Sequence, residues 1–178
     1  GIRENCGRYN YAAVWAALAF GRLGDGDRAF KILSMLNPIN HANSHTGVHR
    51  YKVEPYVVSA DVYSMPPHVG RGGWTWYTGS AGWFYRVALE AVLGFQLQGD
   101  RLRVNPCLPK SWPGFQITYR LGAGRNTCYE IDVDGAEGVC SGVTNIHLDG
   151  QTLDPKASIA VIDDGSTHHQ RLHLGPTS

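Results

Sequence analysis

The sequence predicts a mainly α region followed by a small antiparallel β sandwich. Apolar residues recur at helical spacing through most of the first half of the chain. From Arg101 onward, apolar and polar residues alternate in short runs, and turn-forming pairs such as Asp149-Gly150 separate these runs. Regularly spaced short strands of this kind are typical of a sandwich. We therefore predict a helical domain over residues 1–96 and a β domain over residues 97–178.

Three segments of the first half are predicted to be helices. Residues 9–23 are rich in alanine and apolar almost all the way round, so we expect this helix to be buried on most sides. Residues 27–37 carry a single apolar stripe, and residues 81–95 carry a wide apolar face. Residues 40–50 are polar and rich in histidine, and we predict that they form a loop.

Four runs of the second half alternate clearly enough to predict strands. They are residues 102–104, 115–120, 129–133 and 143–148.

Composition excludes several classes of function. With 43% hydrophobic and 17% charged residues and a net charge of +1, the 178-residue chain has the make-up of a globular protein without a nucleic-acid-binding surface. No apolar run is long enough to span a membrane, and no signal peptide is present. The four cysteines lack metal-ligand spacing, so we expect free thiols and a reducing compartment. Because the chain starts at Gly1 inside a motif, we expect it to be the C-terminal piece of a larger protein.

The best candidate for chemistry is the start of the third helix, at Thr78, Gly79 and Ser80. A helix N-terminus with nearby hydroxyls can bind an anion, because its N–H groups and its dipole both favour negative charge. The same residues would also serve as a plain helix cap. Arg71 could add positive charge to an anion site or lie on the surface.

Other polar residues could contact a polyhydroxylated ligand. Glu4 and Asn5 precede the first helix and could bind a sugar or cap that helix. His68 follows two prolines and is a candidate for a fixed loop histidine. His41, His45 and His49 have helical spacing, but their polar, glycine-containing surroundings predict a loop, and we predict no metal site.

Four stretches together resemble a known family. The four stretches are E-N-x-G-x-Y near the start, L-N-P-I-N-H, the long block from Arg50 to Trp83, and L-R-V-N-P-C-L-P-K-S-W-P-G-F. Together they resemble the C-terminal region of cyclic β-1,2-glucan synthases. That region is similar to cellobiose and chitobiose phosphorylases. The resemblance covers nearly the whole chain and is densest before Phe115. It implies the C-terminal part of an (α/α)6 barrel that carries an active site, followed by the β domain.

The resemblance also implies an activity and a site. Such enzymes are inverting phosphorylases, in which inorganic phosphate replaces the water of an inverting hydrolase and only one carboxylic acid is needed. Thr78 and Gly79 match the phosphate-binding T-G element of the family, with Ser80 beside them, and Glu4 matches a glutamate that contacts sugar. We add Asn5, His68, Arg71 and Trp76 as expected substrate contacts. No cofactor is expected besides phosphate as a co-substrate.

This sequence departs from the family pattern at two positions, since Cys6 replaces a glycine and Tyr11 replaces a histidine. Family members usually read E-N-G-G-x-x-x-H, where the histidine binds phosphate, whereas this chain reads E-N-C-G-R-Y-N-Y. Tyr11 therefore stands where the histidine belongs, and tyrosine donates one hydrogen bond without supplying a cation. The general-acid aspartate of the family belongs to an upstream part of the barrel, so we assign its role to no residue here and interpret Asp61 as structural.

The expected function is part of a β-1,2-glucan phosphorylase module that controls chain length within a cyclic glucan synthase. Its partners would be glucan oligosaccharide, phosphate and the rest of the same polypeptide, including a membrane-bound glycosyltransferase region on the cytoplasmic side of the bacterial inner membrane. Two alternatives remain open, a stand-alone cytoplasmic phosphorylase and a non-catalytic glucan-binding module. The chain by itself is expected to be inactive.

Overall fold

A computed structural model describes residues 7–76, 79–122, 126–135 and 138–176 of the chain. The chain divides into two compact units, each described by itself below. Unit 1 comprises Gly1–Gly21 and Arg28–Ala88, and unit 2 comprises Arg22–Asp27 and Leu89–Ser178. The predicted division into domains at 1–96 and 97–178 stays a prediction.

Helices occupy the first half of the chain, as predicted. They are α1 (Asn10–Arg22), α2 (Gly26–Leu36), α3 (Pro38–His41), α4 (His45–Tyr51) and α5 (Gly79–Val87), with a π-helical turn over Ala88–Val92 directly after α5. The prediction of a third helix reaching residue 95 is wrong at its end. Gly94 has a φ of 71°, and a side chain there would collide with the backbone of Asn105. The chain leaves the helix at this glycine because other residues rarely adopt that conformation.

The two long helices bury different fractions of their surface. In α2 the predicted stripe is confirmed, since Leu33 and Leu36 are buried together with Ala29. In α1 the expectation of burial on most sides is wrong, because Asn10, Val14 and Ala17 are its buried residues. Trp15 on the same helix is 49% exposed. Composition therefore indicated an apolar helix correctly but overstated how much of it this chain covers.

The loop predicted over residues 40–50 is also wrong, because most of that segment is helical. The Ser44 hydroxyl caps α4 by accepting a hydrogen bond of 3.1 Å from the backbone N–H of Gly47. Asn37 caps α3 in the same way through the N–H of Ile39. Ser44, one of the polar residues that suggested a loop, is therefore the cap that starts α4.

Strands dominate the second half, and all four predicted runs lie in strands. The strands of unit 2 are β3 (Phe95–Gln98), β4 (Arg101–Val104), β5 (Gly114–Arg120), β6 (Cys128–Asp134), β7 (Val143–Leu148), β8 (Gln151–Leu153), β9 (Ile159–Ala160) and β10 (Thr167–Leu174). Two further strands, β1 (Gly7–Tyr9) and β2 (Asp61–Tyr63), lie in unit 1. The predicted order of helices followed by strands is thus confirmed, and the barrel and sandwich architectures stay predictions.

The larger sheet of unit 2 is mixed rather than purely antiparallel. Its five strands lie in the order β5-β6-β10-β7-β8, and β10 runs parallel to β6. The other neighbours in this sheet are antiparallel. Turn pairs such as Asp149-Gly150 predict hairpins between consecutive strands, but they do not predict where the last strand inserts. The antiparallel prediction is therefore wrong for this one pair.

Alternation along β6 and β10 builds the core of that sheet. Ile131 and Val133 of β6 are buried, as are Leu172 and Leu174 of β10. Burying an aliphatic side chain of this size contributes about 1.5–3 kcal/mol. The residues between them point to the other face, as the period of two requires.

Candidate functional site

A short backbone ladder in unit 1 aligns the segments that carry the predicted site residues. Strand β1 pairs antiparallel with β2, with Tyr9 opposite Asp61. On the other side of β2, the Gly73 N–H donates to the Asp61 carbonyl (2.8 Å), and the Ala60 N–H donates to the Trp74 carbonyl (2.7 Å). The start of α1 and the approach to α5 are therefore held by neighbouring segments of one small sheet.

A buried polar network fixes the first residue of α1 against this ladder. Asn10 is 1% exposed, and its Nδ2 donates to the carbonyl and to the hydroxyl oxygen of Ser59, at 2.8 and 3.1 Å. The Ser59 hydroxyl donates to the Asp61 carbonyl at 3.0 Å. Because a hydroxyl has a single hydrogen, the Tyr51 hydroxyl, 3.2 Å away, donates to Ser59. Burial raises the pKa of the Tyr51 phenol, so this hydroxyl keeps its proton.

Asp61 lies beneath the segment that leads to α5. Its side chain is fully buried, and a Cβ at position 73 would overlap its carboxylate, which explains the glycine there. This placement suits the structural role that the sequence indicated for Asp61.

Tyr11 and Gly79 lie in contact. Tyr11 is the second residue of α1, and a Cβ added to Gly79 would lie 3.1 Å from its Cε2 atom. Gly79 is the first residue of α5 and is exposed, whereas Ser80 is 2% exposed. Since the first N–H groups of a helix have no partner within it, the Tyr11 ring borders a set of donors. The structure therefore brings together two of the four residues predicted to bind phosphate.

An aromatic cluster joins the starts of α1 and α5. Tyr11 lies 5.0 Å from Trp15 and 6.1 Å from Trp83, and the two tryptophans lie 5.6 Å apart, measured between ring centroids. The Arg86 guanidinium lies over Trp83, 5.2 Å from the ring centroid. Trp15 was missed as a neighbour of this site. Its spacing of four residues from Tyr11 in a helix was the available signal.

His68 and Arg71 lie in one tight loop that closes on β2. The loop follows a cis bond between Pro66 and Pro67. The N–H of Arg71 donates to the His68 carbonyl (3.0 Å), and the N–H of Tyr63 donates to the Arg71 carbonyl (2.9 Å). The imidazole packs edge-on to the Tyr63 ring, and Arg71 is exposed. The structure therefore groups these two predicted substrate contacts.

Trp76 stands apart in conformation. It has a φ of 71°, which is rare for a residue with a bulky side chain, and it is 69% exposed. Its Nε1 donates to Glu54 at 3.4 Å, and its ring lies 6.1 Å from that of Tyr56. Strained and exposed aromatic residues are found at ligand-binding positions. The three remaining predictions, Glu4, Asn5 and Thr78, lie outside the described residues.

Metal clusters and membrane-spanning helices are both absent from the described part of the chain. Among those residues, no group of three or more His, Cys, Asp or Glu side chains could hold a metal ion. The same residues include no helix with the length and apolar character needed to cross a bilayer. His41 binds the Met35 carbonyl through Nε2 (2.7 Å) and stacks on Tyr51.

Comparison with known proteins shows which family the chain resembles in sequence. Residues 1–94 match the family model of the glycosyl hydrolase 94 superfamily catalytic domain. The chain is 49% identical to a cyclic beta-(1,2)-glucan synthase of Rhizobium meliloti over 75% of its own length and 5% of that protein. It is 32% identical to an N,N'-diacetylchitobiose phosphorylase of Vibrio furnissii over 86% of its length, and 28% identical to a solabiose phosphorylase of Paenibacillus borealis over 94%. It spans 19% and 21% of these two relatives. The resemblance inferred from the motifs is thus confirmed.

Proposed function

Because this chain belongs to the glycosyl hydrolase 94 superfamily, we propose that it forms part of the active-site wall of an inverting phosphorylase acting on β-1,2-glucan. The contact between Tyr11 and the first residue of α5 carries this proposal. It places a hydroxyl-bearing ring beside the N–H groups of a helix N-terminus, where an anion is favoured. The glucan synthase among the relatives supports β-1,2-glucan as the substrate.

The proposed chemistry is a displacement at the anomeric carbon. One phosphate oxygen forms a bond to this carbon as the glycosidic C–O bond breaks, and a carboxylic acid transfers its proton to the departing sugar oxygen. We assign phosphate binding to Thr78, Gly79, Ser80 and Tyr11. We assign the acid to an upstream part of the barrel in the intact protein, and phosphate is the co-substrate without a further cofactor.

With Tyr11, this phosphate site carries less positive charge than a site with a protonated histidine at the same position. A tyrosine hydroxyl donates one hydrogen bond to a phosphate oxygen, whereas a protonated imidazole also supplies a positive charge. Helix donors then provide most of the stabilisation of the phosphate dianion. We therefore expect saturation to need more phosphate than an enzyme with histidine at this position.

The sugar side of the proposed site consists of Glu4, Asn5, His68, Arg71 and Trp76. The exposed indole of Trp76 offers an apolar face of the kind on which pyranose rings stack. In the intact protein we place this module beside a membrane-bound glycosyltransferase region, on the cytoplasmic side of the bacterial inner membrane. There, phosphorolysis of the growing glucan would control its chain length.

The direct test supplies the intact protein with β-1,2-glucooligosaccharides and inorganic phosphate. Release of glucose 1-phosphate is expected, and Thr78→Val should raise the phosphate concentration needed for half-saturation by about tenfold, since one charge-assisted hydrogen bond is removed. Thr75→Val, three residues earlier in the same stretch, is the matched control. If the intact protein consumes no oligosaccharide in the presence of phosphate, the proposal fails.

A non-catalytic glucan-binding module is the second candidate, and the tyrosine at position 11 favours it. Tyr11→His separates the two functions. Faster phosphorolysis at low phosphate would support a weak but working site. Tight glucan binding without any phosphorolysis, in both the original protein and the variant, would instead support a binding module.

A further inference from the structure

Two histidines on α4 lie close enough to act as a pair. His45 and His49 are four residues apart in the helix, and both are exposed. Their Nε2 atoms are 3.0 Å apart, and their ring centroids are 4.2 Å apart. The proposed phosphorolysis assigns no role to either residue. Their polar surroundings predicted a loop without a metal site, whereas the structure places both residues in α4.

The hydrogen bonds at both ends of α4 hold the spacing between His45 and His49. The capping hydroxyl of Ser44 fixes the first turn of α4, and Lys52 in the left-handed region closes the last turn with a bond from its N–H to the Val48 carbonyl. Residues at i and i+4 therefore project from the same face of a defined helix. A side chain at position 47 would collide with the His41 carbonyl, so the glycine there is also part of this packing.

The two nitrogens are close enough to bind one ion together. With metal–nitrogen bonds of about 2.0–2.1 Å, a separation of 3.0 Å corresponds to an N–metal–N angle of roughly 90–97°. Because both side chains are exposed, small rotations can also open this separation to the roughly 3.3–3.4 Å that a tetrahedral ion needs. We propose that His45 and His49 form a two-point site for a divalent transition-metal ion, with Cu²⁺ bound more tightly than Ni²⁺ or Zn²⁺, as is general for nitrogen ligands.

Binding requires only a shift of protons between ring nitrogens. In the metal-free pair, one Nε2–H donates to the lone pair of the other Nε2. When both Nε2 lone pairs bind the ion, the donating ring carries its proton on Nδ1. Water completes the remaining coordination positions, because the site is open to solvent.

The experiment titrates the 178-residue chain with Cu²⁺ alone by calorimetry and by electron paramagnetic resonance. His45→Gln and His49→Gln should each lower the affinity by about tenfold or more, because either change converts a chelate into a single ligand. The double variant should bind more weakly still, because it loses the remaining imidazole. His147→Gln, which removes a histidine from β7, should leave the affinity unchanged.

A second measurement distinguishes loss of the site from loss of the fold. The paramagnetic resonance spectrum of the original protein should show two coordinated imidazole nitrogens, and that of His49→Gln only one, while circular dichroism stays unchanged. Equal affinity and equal nitrogen coupling in the original protein and in His49→Gln would overturn the proposal. Tighter binding of Zn²⁺ than of Cu²⁺ would contradict the expected order of affinities.

Discussion

Each of the two units of this chain contains a cluster of hydrogen-bonded polar side chains, and the two clusters differ in their exposure to solvent. In unit 1, Asn10 and Ser59 lie in a network that is fully buried and made of neutral groups. In unit 2, His168 of β10 binds Asp149 at 2.7 Å and Asp164 at 3.3 Å, and both carboxylates are more than 40% exposed. The first cluster has no water to replace a lost partner, while the second does.

This difference in exposure determines whether each cluster responds to substitution or to pH and salt. The buried network depends on shape and on hydrogen bonds that water cannot replace, so a single change should weaken the start of α1 and the site beside it. The exposed cluster depends on charge, so it should respond to pH and to salt. Burial therefore decides which cluster is rigid and which one titrates.

The largest effect is expected from Gly73→Ala in unit 1. The added methyl group would overlap the buried Asp61 carboxylate and should lower the free energy of unfolding by about 3 kcal/mol, the upper part of the range for overpacking. Urea unfolding followed by tryptophan fluorescence measures this change. Gly82→Ala is the matched control, because nothing lies within 4 Å of its Cβ position in α5 and the helix should gain about 0.5–1 kcal/mol. Equal effects of the two substitutions would contradict the structure around Asp61.

A smaller loss is expected from Asn10→Ala. The change leaves the buried Ser59 carbonyl without its donor, and a lost partner of this kind lowers the free energy of unfolding by about 1–3 kcal/mol. Asn40→Ala removes a similar pair of bonds to Ser34 at an exposed position and should lower it by less than about 1 kcal/mol. An equal loss of unfolding free energy in Asn40→Ala and Asn10→Ala would contradict the stronger effect expected at the buried position.

The smallest effect is expected in unit 2, and it should depend on pH. Hydrogen bonding to Asp149 raises the pKa of His168, so the stability from this group is present below its ordinary pKa of 6.5 and is lost as the pH rises through the raised value. Hydrogen bonding to His168 lowers the pKa of Asp149, and bonding to the Ser166 N–H lowers that of Asp164. Their contribution is therefore present above 3.8 and is lost as the pH falls through the lowered values.

Unit 2 should therefore gain most from this cluster between about pH 4 and pH 6.5. Melting temperatures measured across the pH range should show that gain in the original protein and a flatter profile in His168→Gln. His173→Gln, which removes an exposed imidazole 3.3 Å from the Asp134 carboxylate, is the control and should keep most of the pH dependence. An unchanged profile in His168→Gln would show that the cluster contributes nothing.

Periodicity within a segment predicted those helices and strands whose conformation depends least on neighbouring segments. The stripe on α2 and the alternation in β6 appear in the sequence because one face must be apolar wherever the core lies. The helix α4 escaped prediction because Ser44 and Gly47 favour turns in general. Only the bond between them shows that they start a helix.

In the candidate site too, the sequence predicted some features and could not predict others. The family resemblance identified Tyr11 and Gly79 as residues of interest, and their contact is a fact of packing between two helices. No local pattern indicates that Asn10 meets Ser59, 49 residues away, or that β10 lies parallel to β6. Such pairings depend on which surfaces remain after each element has formed.

By itself, the sequence determined where the three predicted helices and the four predicted strands lie and which family the motifs resemble, because periodicity and short motifs are properties of contiguous residues. Tertiary structure alone decided that the Tyr11 ring borders α5, that Gly73 must be glycine above Asp61, and that β10 runs beside β6. These outcomes depend on excluded volume and on hydrogen bonds between segments far apart in the chain, and neither leaves a periodic trace in the sequence.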